Sequence, residues 1–141
     1  MSGPLLSVEG IHAHYGKSHV LQGVSLQVQD GELVTLLGRN GAGKTTTLKS
    51  IAGVMQPSQG QIRFGGEPVH RMATHQVAQR GICLVPEHRG IFKLLTVEEN
   101  LLLGQRKRSP WQLADIYRIF PRLKERRGNG GGQLSGGEQQ M

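Results

Sequence analysis

The sequence predicts an α/β fold with a small β structure first, strand–loop–helix units in the middle and a mainly helical last third. Three observations predict it. An apolar run, Leu33-Val34-Thr35-Leu36-Leu37, leads straight into the glycine-rich stretch 38–45, and residues at helical spacing follow. Strand-like and helix-like segments alternate around that unit, the pattern of layered folds with parallel strands. From Thr96 onward, helix-start chemistry recurs in a stretch poor in strand signals.

Taken in order, Val24, Leu26 and Val28 alternate with Ser25 and Gln27, as in a half-exposed strand, and Asp30-Gly31 supplies a turn. Residues 33–37 are apolar without alternation, as expected for a strand buried on both faces. Leu48, Ile51 and Ala52 repeat at helical spacing within 46–52, and Gly53 ends that helix. Residues 61–64 read as a strand, with Gly65-Gly66 as its turn. A helix over 73–80 is closed by Gly81, and Ile82-Cys83-Leu84-Val85 is a second buried strand, stopped by Pro86. Thr96-Val97-Glu98-Glu99 and Ser109-Pro110-Trp111-Gln112 both have capping-box spacing, the latter with proline at the first helical position. A helical insert therefore runs from about residue 88 to 127, and the glycine-rich 128–132 reads as a flexible segment.

With 141 residues there is room for one domain or part of one. A hydrophobic fraction of 36% and 21 glycines make the core thin for that length. No apolar run approaches the roughly 20 residues that span a bilayer, and Met1-Ser2-Gly3-Pro4 begins no secretory leader. The lone Cys83 excludes an internal disulfide and favours a reducing, cytosolic setting; its apolar neighbours predict a buried, inert thiol. A formal charge of +7 attracts anions, whether nucleotide phosphates, nucleic acid or an acidic membrane leaflet. Arg106-Lys107-Arg108 and the basic residues of 122–127 read as solvated helical faces. Stacking on nucleic acid would want aromatics among them, and these lie mostly elsewhere. His12 and His14 share a strand face but lack a third ligand for a metal.

Gly38-Arg39-Asn40-Gly41-Ala42-Gly43-Lys44-Thr45 fits the P-loop pattern G-x-x-x-x-G-K-[ST]. Its glycines let backbone N–H groups turn inward around β- and γ-phosphates, and the next helix adds the positive end of its dipole. Lys44 would reach those phosphates, and the Thr45 hydroxyl would ligate Mg²⁺. An accidental match at this composition arises about 1% of the time. Leu134-Ser135-Gly136-Gly137-Glu138-Gln139-Gln140 is the second motif. Ser135 and Glu138 have capping-box spacing, which places Ser135 at a helix start with two glycines leaving N–H groups uncovered.

Together these motifs resemble the ATP-binding-cassette (ABC) family, whose signature is LSGG followed by Q or E and then Q, and the resemblance covers essentially the whole chain. It implies a P-loop NTPase of ABC type, N-terminal part only: an antiparallel β subdomain, a partial parallel-sheet core and a helical insert. On that pattern residues 1–87 are the β subdomain and P-loop core, 88–133 the helical subdomain, and 134–141 the signature and the start of its helix, with the rest of the domain absent. ATP and Mg²⁺ are the implied cofactors. Tyr15, 29 residues before Lys44, matches the family's aromatic that stacks on adenine. Phosphate binding falls by resemblance to Gly38, Arg39, Asn40, Gly41, Ala42, Gly43, Lys44, Thr45 and Thr46. Ser135, Gly136 and Gly137 match the family residues that contact the γ-phosphate held by a second subunit's P-loop. Glu87, after Val85-Pro86, stands where most members carry the Q-loop glutamine, which contacts Mg²⁺ and the attacking water and senses the membrane partner. The implied catalytic residues are thus Lys44 and Glu87, and the implied metal ligands Thr45 and Glu87. Glu87, the P-loop string through Leu48 and Leu95-Thr96-Val97-Glu98-Glu99-Asn100-Leu101 also resemble the branched-chain amino acid importer subgroup, which tolerates Arg39 in place of the commoner proline.

The resemblance implies an ATP hydrolase that couples to uptake of a small solute, branched-chain amino acids first, with other amino acids, amides and urea as alternatives. Its implied partners are a second ABC ATPase subunit paired head to tail, integral membrane permease subunits docked near residues 87–100, and indirectly a solute-binding protein. The implied location is the cytoplasmic face of the membrane, with no nucleic acid partner. Two alternatives stand beside this: a nucleotide-binding fragment without activity, and a non-transport ABC ATPase acting on nucleic acid or ribosomes. A P-loop ATPase also needs one acid at an apolar strand's end for Mg²⁺ and another to orient water. Asp30 lies in a turn, Asp115 in the helical insert, and Glu9, Glu32, Glu67, Glu125 and Glu138 follow no apolar strand. No histidine comes after His88 to contact a γ-phosphate. The 141 residues are therefore read as the N-terminal part of a longer domain, ending inside the signature's helix and unable to turn over ATP alone.

Overall fold

The computed structural model describes residues 3–141, which fall into two compact units divided between Leu84 and Val85. The first unit is built on a four-stranded antiparallel sheet of β1 (Leu6–Tyr15), β2 (Ser18–Val28), β3 (Gln59–Phe64) and β4 (Glu67–Pro68), in the order β2-β1-β3-β4. Gly65 and Gly66 join the last two strands with φ of 57° and 83°, the left-handed pair that a tight hairpin turn requires. In β2 the alternation holds: Val24, Leu26 and Val28 are half-buried, while Ser25 and Gln27 are exposed. Helix α1 (Lys44–Ile51) packs on β1 and β2. Val8, Ile11, Ala13, Leu21, Ile62 and Val77 are buried, the last from helix α2 (Thr74–Gln79), and with Ile51 and Val69 they form one core. Each of the valines, leucines and isoleucines among them stabilises by about 1.5–3 kcal/mol relative to exposure, so this small set carries the unit. α1 starts at Lys44, ahead of the expected 46, because Gly43 at φ 91° is its N-cap. Gly81, at φ 108°, closes α2 as expected.

The α/β class holds, but its two expected parallel strands form no ladder. Residues 33–37 and 82–85 belong to no sheet among the described residues. Leu33 and Leu37 are 93% and 89% exposed, and Val85 is exposed too. Cys83 is exposed rather than buried. The reason is one of partners: a parallel strand takes its hydrogen bonds from strands reached by crossovers, and no described strand lies beside these segments. The apolar runs are thus present without the two covered faces they are composed for.

The second unit is helical, with α3 (Val97–Gly104), α4 (Leu113–Ile119), α5 (Pro121–Glu125) and α6 (Gly136–Gln140), and a 3-10 turn at Gly131–Gln133. α3 starts with the expected box: Thr96 N–H donates to Glu99 Oε2 at 2.7 Å, and Glu99 N–H to Thr96 Oγ1 at 3.1 Å. The box expected at Ser109 moves on by three residues. Gln112 is the N-cap of α4 and its N–H donates to Asp115 Oδ2, while Ser109 Oγ accepts only from Trp111 N–H. The glycine-rich 128–132 is tied rather than loose: Asn129 O accepts from Val97 N–H, and Gly131 N–H donates to Leu95 O at 2.8 Å. Asn100 braces the same region, accepting from Phe92 N–H at 2.8 Å and donating to Phe92 O and Thr96 O. Val97 and Leu123 are buried, and Tyr117 donates to Glu98 Oε2 at 2.8 Å. Burial, and then that hydrogen bond to a carboxylate, push the Tyr117 phenol up to about 12.

Candidate phosphate-binding loop and signature segment

In the first unit, residues 38–42 form an exposed loop that passes through the buried Gly43 into α1. Gly41 and Gly43 have φ of 85° and 91°, which side-chain-bearing residues rarely adopt. They are glycine for different further reasons. A Cβ on Gly43 would come within 2.6 Å of Leu21 Cδ2, so the loop is pressed onto β2 there. A Cβ on Gly41 would meet nothing within 4 Å, so that part of the loop faces open space. Lys44 Nζ curls back to donate to Gly38 O at 2.6 Å and Arg39 O at 2.8 Å, and Ala42 N–H closes the loop onto Arg39 O. The ammonium therefore sits against the loop, held by carbonyl dipoles. The hydroxyl of Thr47 donates to Gly43 O and that of Ser50 to Thr46 O, which pins the first turns of α1. Arg39, Asn40 and Thr45 are exposed; Thr46 is buried.

Tyr15 ends β1, half exposed and paired with Ser18 across the hairpin. The strand that carries Ser18 also carries Leu21 against Gly43, so the tyrosine and the loop share one support. Beside Tyr15 the structure gathers three histidines where the sequence suggested two. His12 Nδ1 lies 2.9 Å from His19 Nε2, and His14 stacks on His19 with ring centroids 4.2 Å apart. They do not converge on a metal: no group of three or more ligating residues exists among the described residues.

In the second unit, Glu87 lies in an exposed turn after Pro86. Ser135 caps α6 reciprocally, its N–H donating to Glu138 Oε2 at 2.8 Å and its Oγ accepting from Glu138 N–H at 3.3 Å. The Glu138 carboxylate also takes Arg122 Nε at 3.1 Å, with Arg126 Nε at 3.8 Å. The bond from the Ser135 backbone, then that from its hydroxyl, hold this carboxyl below its ordinary value of 4.5, and the arginines act the same way. Hydrogen bonds to Glu125 and Glu138 raise the Arg122 guanidinium in turn. The basic cluster at 122–127, read from sequence as a solvated face, thus supplies the two side chains that brace the signature. Their four-residue spacing, on α5 and its C-cap, was the available signal. Gly137 is open, with nothing within 4 Å of a Cβ, whereas Gly136 lies under the Arg89 guanidinium.

The loop fits the polyphosphate that its motif implies, on two grounds: open space over Gly41 and an ammonium held at the loop; the oxygen chemistry of Thr45, an exposed residue beside it, fits the metal. The family profile described as ABC transporter matches residues 21–141. The chain is 42% identical to BraG of Pseudomonas aeruginosa, a high-affinity branched-chain amino acid transport ATP-binding protein, over 97% of this chain and 60% of BraG. It is 38% identical to LptB of Haemophilus influenzae, a lipopolysaccharide export system ATP-binding protein, over 95% of this chain and 58% of LptB. A solved ATP-binding subunit of an ABC transporter superposes with a TM-score of 0.78 at 33% identity, over 96% of this chain and 58% of that one. The chain thus spans about three fifths of the length of these relatives. With the profile match over most of the chain, the chain belongs to the ABC transporter family and corresponds to part of its ATP-binding domain.

Proposed function

We propose that this chain supplies the nucleotide-binding face of an ABC importer's ATPase subunit. The observation that carries this reading is the loop at 38–45, whose open glycine and back-curled Lys44 are suited to receive a polyphosphate. On binding, the Lys44 ammonium would exchange two carbonyl oxygens for anionic phosphate oxygens, a stronger charge-assisted contact. The family resemblance assigns metal-ligand roles to the Thr45 hydroxyl and to Glu87; Mg²⁺, when bound, would neutralise phosphate charge. The backbone of Gly38, Arg39, Asn40, Gly41, Ala42 and Gly43, with Thr46, would cradle the phosphates, and Tyr15 would stack on adenine. Ser135, Gly136 and Gly137 would meet the γ-phosphate of a second subunit in a head-to-tail pair.

Branched-chain amino acids are the proposed cargo, supported by the likeness to BraG; LptB shows that close relatives serve other cargo. Permease subunits and, through them, a solute-binding protein are the proposed partners, with the subunit peripheral at the cytoplasmic face. No helix among the described residues is long and apolar enough to cross a membrane. The domain division proposed from the resemblance keeps 1–87, 88–133 and 134–141 as functional parts. The test is calorimetric ATP binding to the chain and to its Lys44→Ala variant. A strong loss in the variant is expected, and equal affinity would refute the loop's assignment.

A further inference from the structure

Arg89 is the only non-glycine residue at positive φ among the described residues, at 62°. Side chains rarely adopt that region, and it persists where surrounding contacts hold it. Arg89 follows Glu87 by two residues, and its side chain reaches the signature segment. A Cβ on Gly136 would meet Arg89 Nη2 at 2.9 Å and Cζ at 3.2 Å, so the guanidinium lies directly on the Gly136 backbone. Its Nη1 donates to Gln139 Oε1 at 3.4 Å. That oxygen is aimed by the other end of its amide, because Gln139 Nε2 donates to Gly131 O and Leu134 O, each at 3.2 Å. Gly131 in turn donates to Leu95 O, and Leu95 N–H to Phe92 O. The contacts close a ring from the Glu87 turn, through the signature, back to the loop that follows the turn.

We propose that Arg89 is a positioning residue that locks Ser135-Gly136-Gly137 to the loop carrying Glu87, so that a shift of that loop is passed to the residues meant to touch phosphate. The left-handed backbone is what turns the side chain back over Gly136; leaving that conformation releases the guanidinium and with it the lock. Arg89 is exposed and stands outside the buried residues of its unit, so the contact is separable from folding. The meaning of the lock rests on the proposed nucleotide role of Ser135–Gly137, but its test uses no nucleotide.

The test is residue-resolved amide hydrogen exchange on the full 141-residue chain as wild type, Arg89→Gly and Arg89→Lys. Glycine accepts φ 62° freely, so Arg89→Gly deletes the guanidinium while suiting the backbone. Exchange at Glu138 and Gln139, whose N–H groups bond Ser135, should rise about fivefold, the equivalent of one net hydrogen bond. Exchange at Asn100 N–H, bonded to Thr96 O in α3, should stay as in wild type, and the unfolding midpoint should not fall. Arg89→Lys, a point charge without the planar fork, should restore less than half of the lost protection. Unchanged exchange at 138–139 in Arg89→Gly would overturn the proposal, as would an equal rise at Asn100, which would mean general loosening. Loss of ATP binding by the wild type would be a failure of the proposed function alone, and the exchange result would still decide the role of Arg89.

Discussion

Replacing Gly43 with alanine separates the two demands made on the phosphate loop. The backbone at φ 91° would cost an alanine about 1–2 kcal/mol. The new methyl would also come within 2.6 Å of Leu21 Cδ2, itself buried at 1% exposure, so neither atom can simply swing into solvent. Forcing an extra methyl into such a contact costs typically about 1–3 kcal/mol, and Gly43→Ala should therefore destabilise the first unit by about 2–5 kcal/mol. Gly41→Ala is the control. Its φ of 85° carries the same backbone cost, but its methyl meets open space. The reduced freedom of the unfolded chain is common to both variants and cancels. Urea unfolding followed by the far-UV sheet signal reads this unit, because every described strand lies in it. The two variants should differ by about 1–3 kcal/mol at unchanged m-value. In a Leu21→Ala background that difference should shrink, since the colliding atom is gone. ATP affinity should fall for Gly41→Ala although its stability is the less affected, because its methyl points where phosphate is proposed to sit. Equal destabilisation by both variants, within about 0.5 kcal/mol, would refute the claim that the loop is pressed onto β2 at Gly43.

Tyr15→Ala should weaken nucleotide binding by about 1–3 kcal/mol and Tyr15→Phe very little, as for base stacking on aromatics; equal losses in calorimetry would favour the hydroxyl over the ring. Because Glu138 is depressed below 4.5 in the folded chain, the stability it lends the α6 cap is present above that value and lost as pH falls through the lower folded value. Amide exchange at Glu138 should accelerate over that acid range in wild type, and Glu138→Gln should show no such step; a step in the variant would assign it elsewhere. Purified as 141 residues, the chain should release no phosphate from ATP above its Lys44→Ala variant even with Mg²⁺, since no strand-end acid orients water for in-line attack. Lys44-dependent release matching a full-length family domain would show that such acids exist among the residues read as unsuited.

The line between what was legible in sequence and what was not follows the range of the interactions. The loop at 38–45 was readable because eight consecutive residues contain its whole logic: glycines where the backbone must turn left-handed, then lysine and threonine at the start of a helix. The Ser135–Glu138 box was readable for the same reason, each partner lying three residues from the other. The box expected at Ser109 failed because Asp115, three residues beyond Gln112, takes the Gln112 N–H instead, and composition alone does not rank two overlapping helix starts.

By itself, then, the sequence determined the left-handed turns of the glycine-rich loop and the signature's cap, both set by local spacing, and its two motifs carried the resemblance to the family. Tertiary structure alone decided what depends on distant segments meeting. Arg122 and Arg126 turn from solvated charges into the brace on Glu138 only when α5 meets α6. His19 joins His12 and His14 only across the β1–β2 hairpin. Leu33, Leu37 and Val85 of the two apolar runs, and Cys83 with them, are exposed because burial is a property of neighbouring strands, which an apolar run requires but does not contain. Arg89 reads as an ordinary surface arginine until its φ of 62° and its seat on Gly136 are seen, because no local pattern announces a contact with a segment 47 residues away.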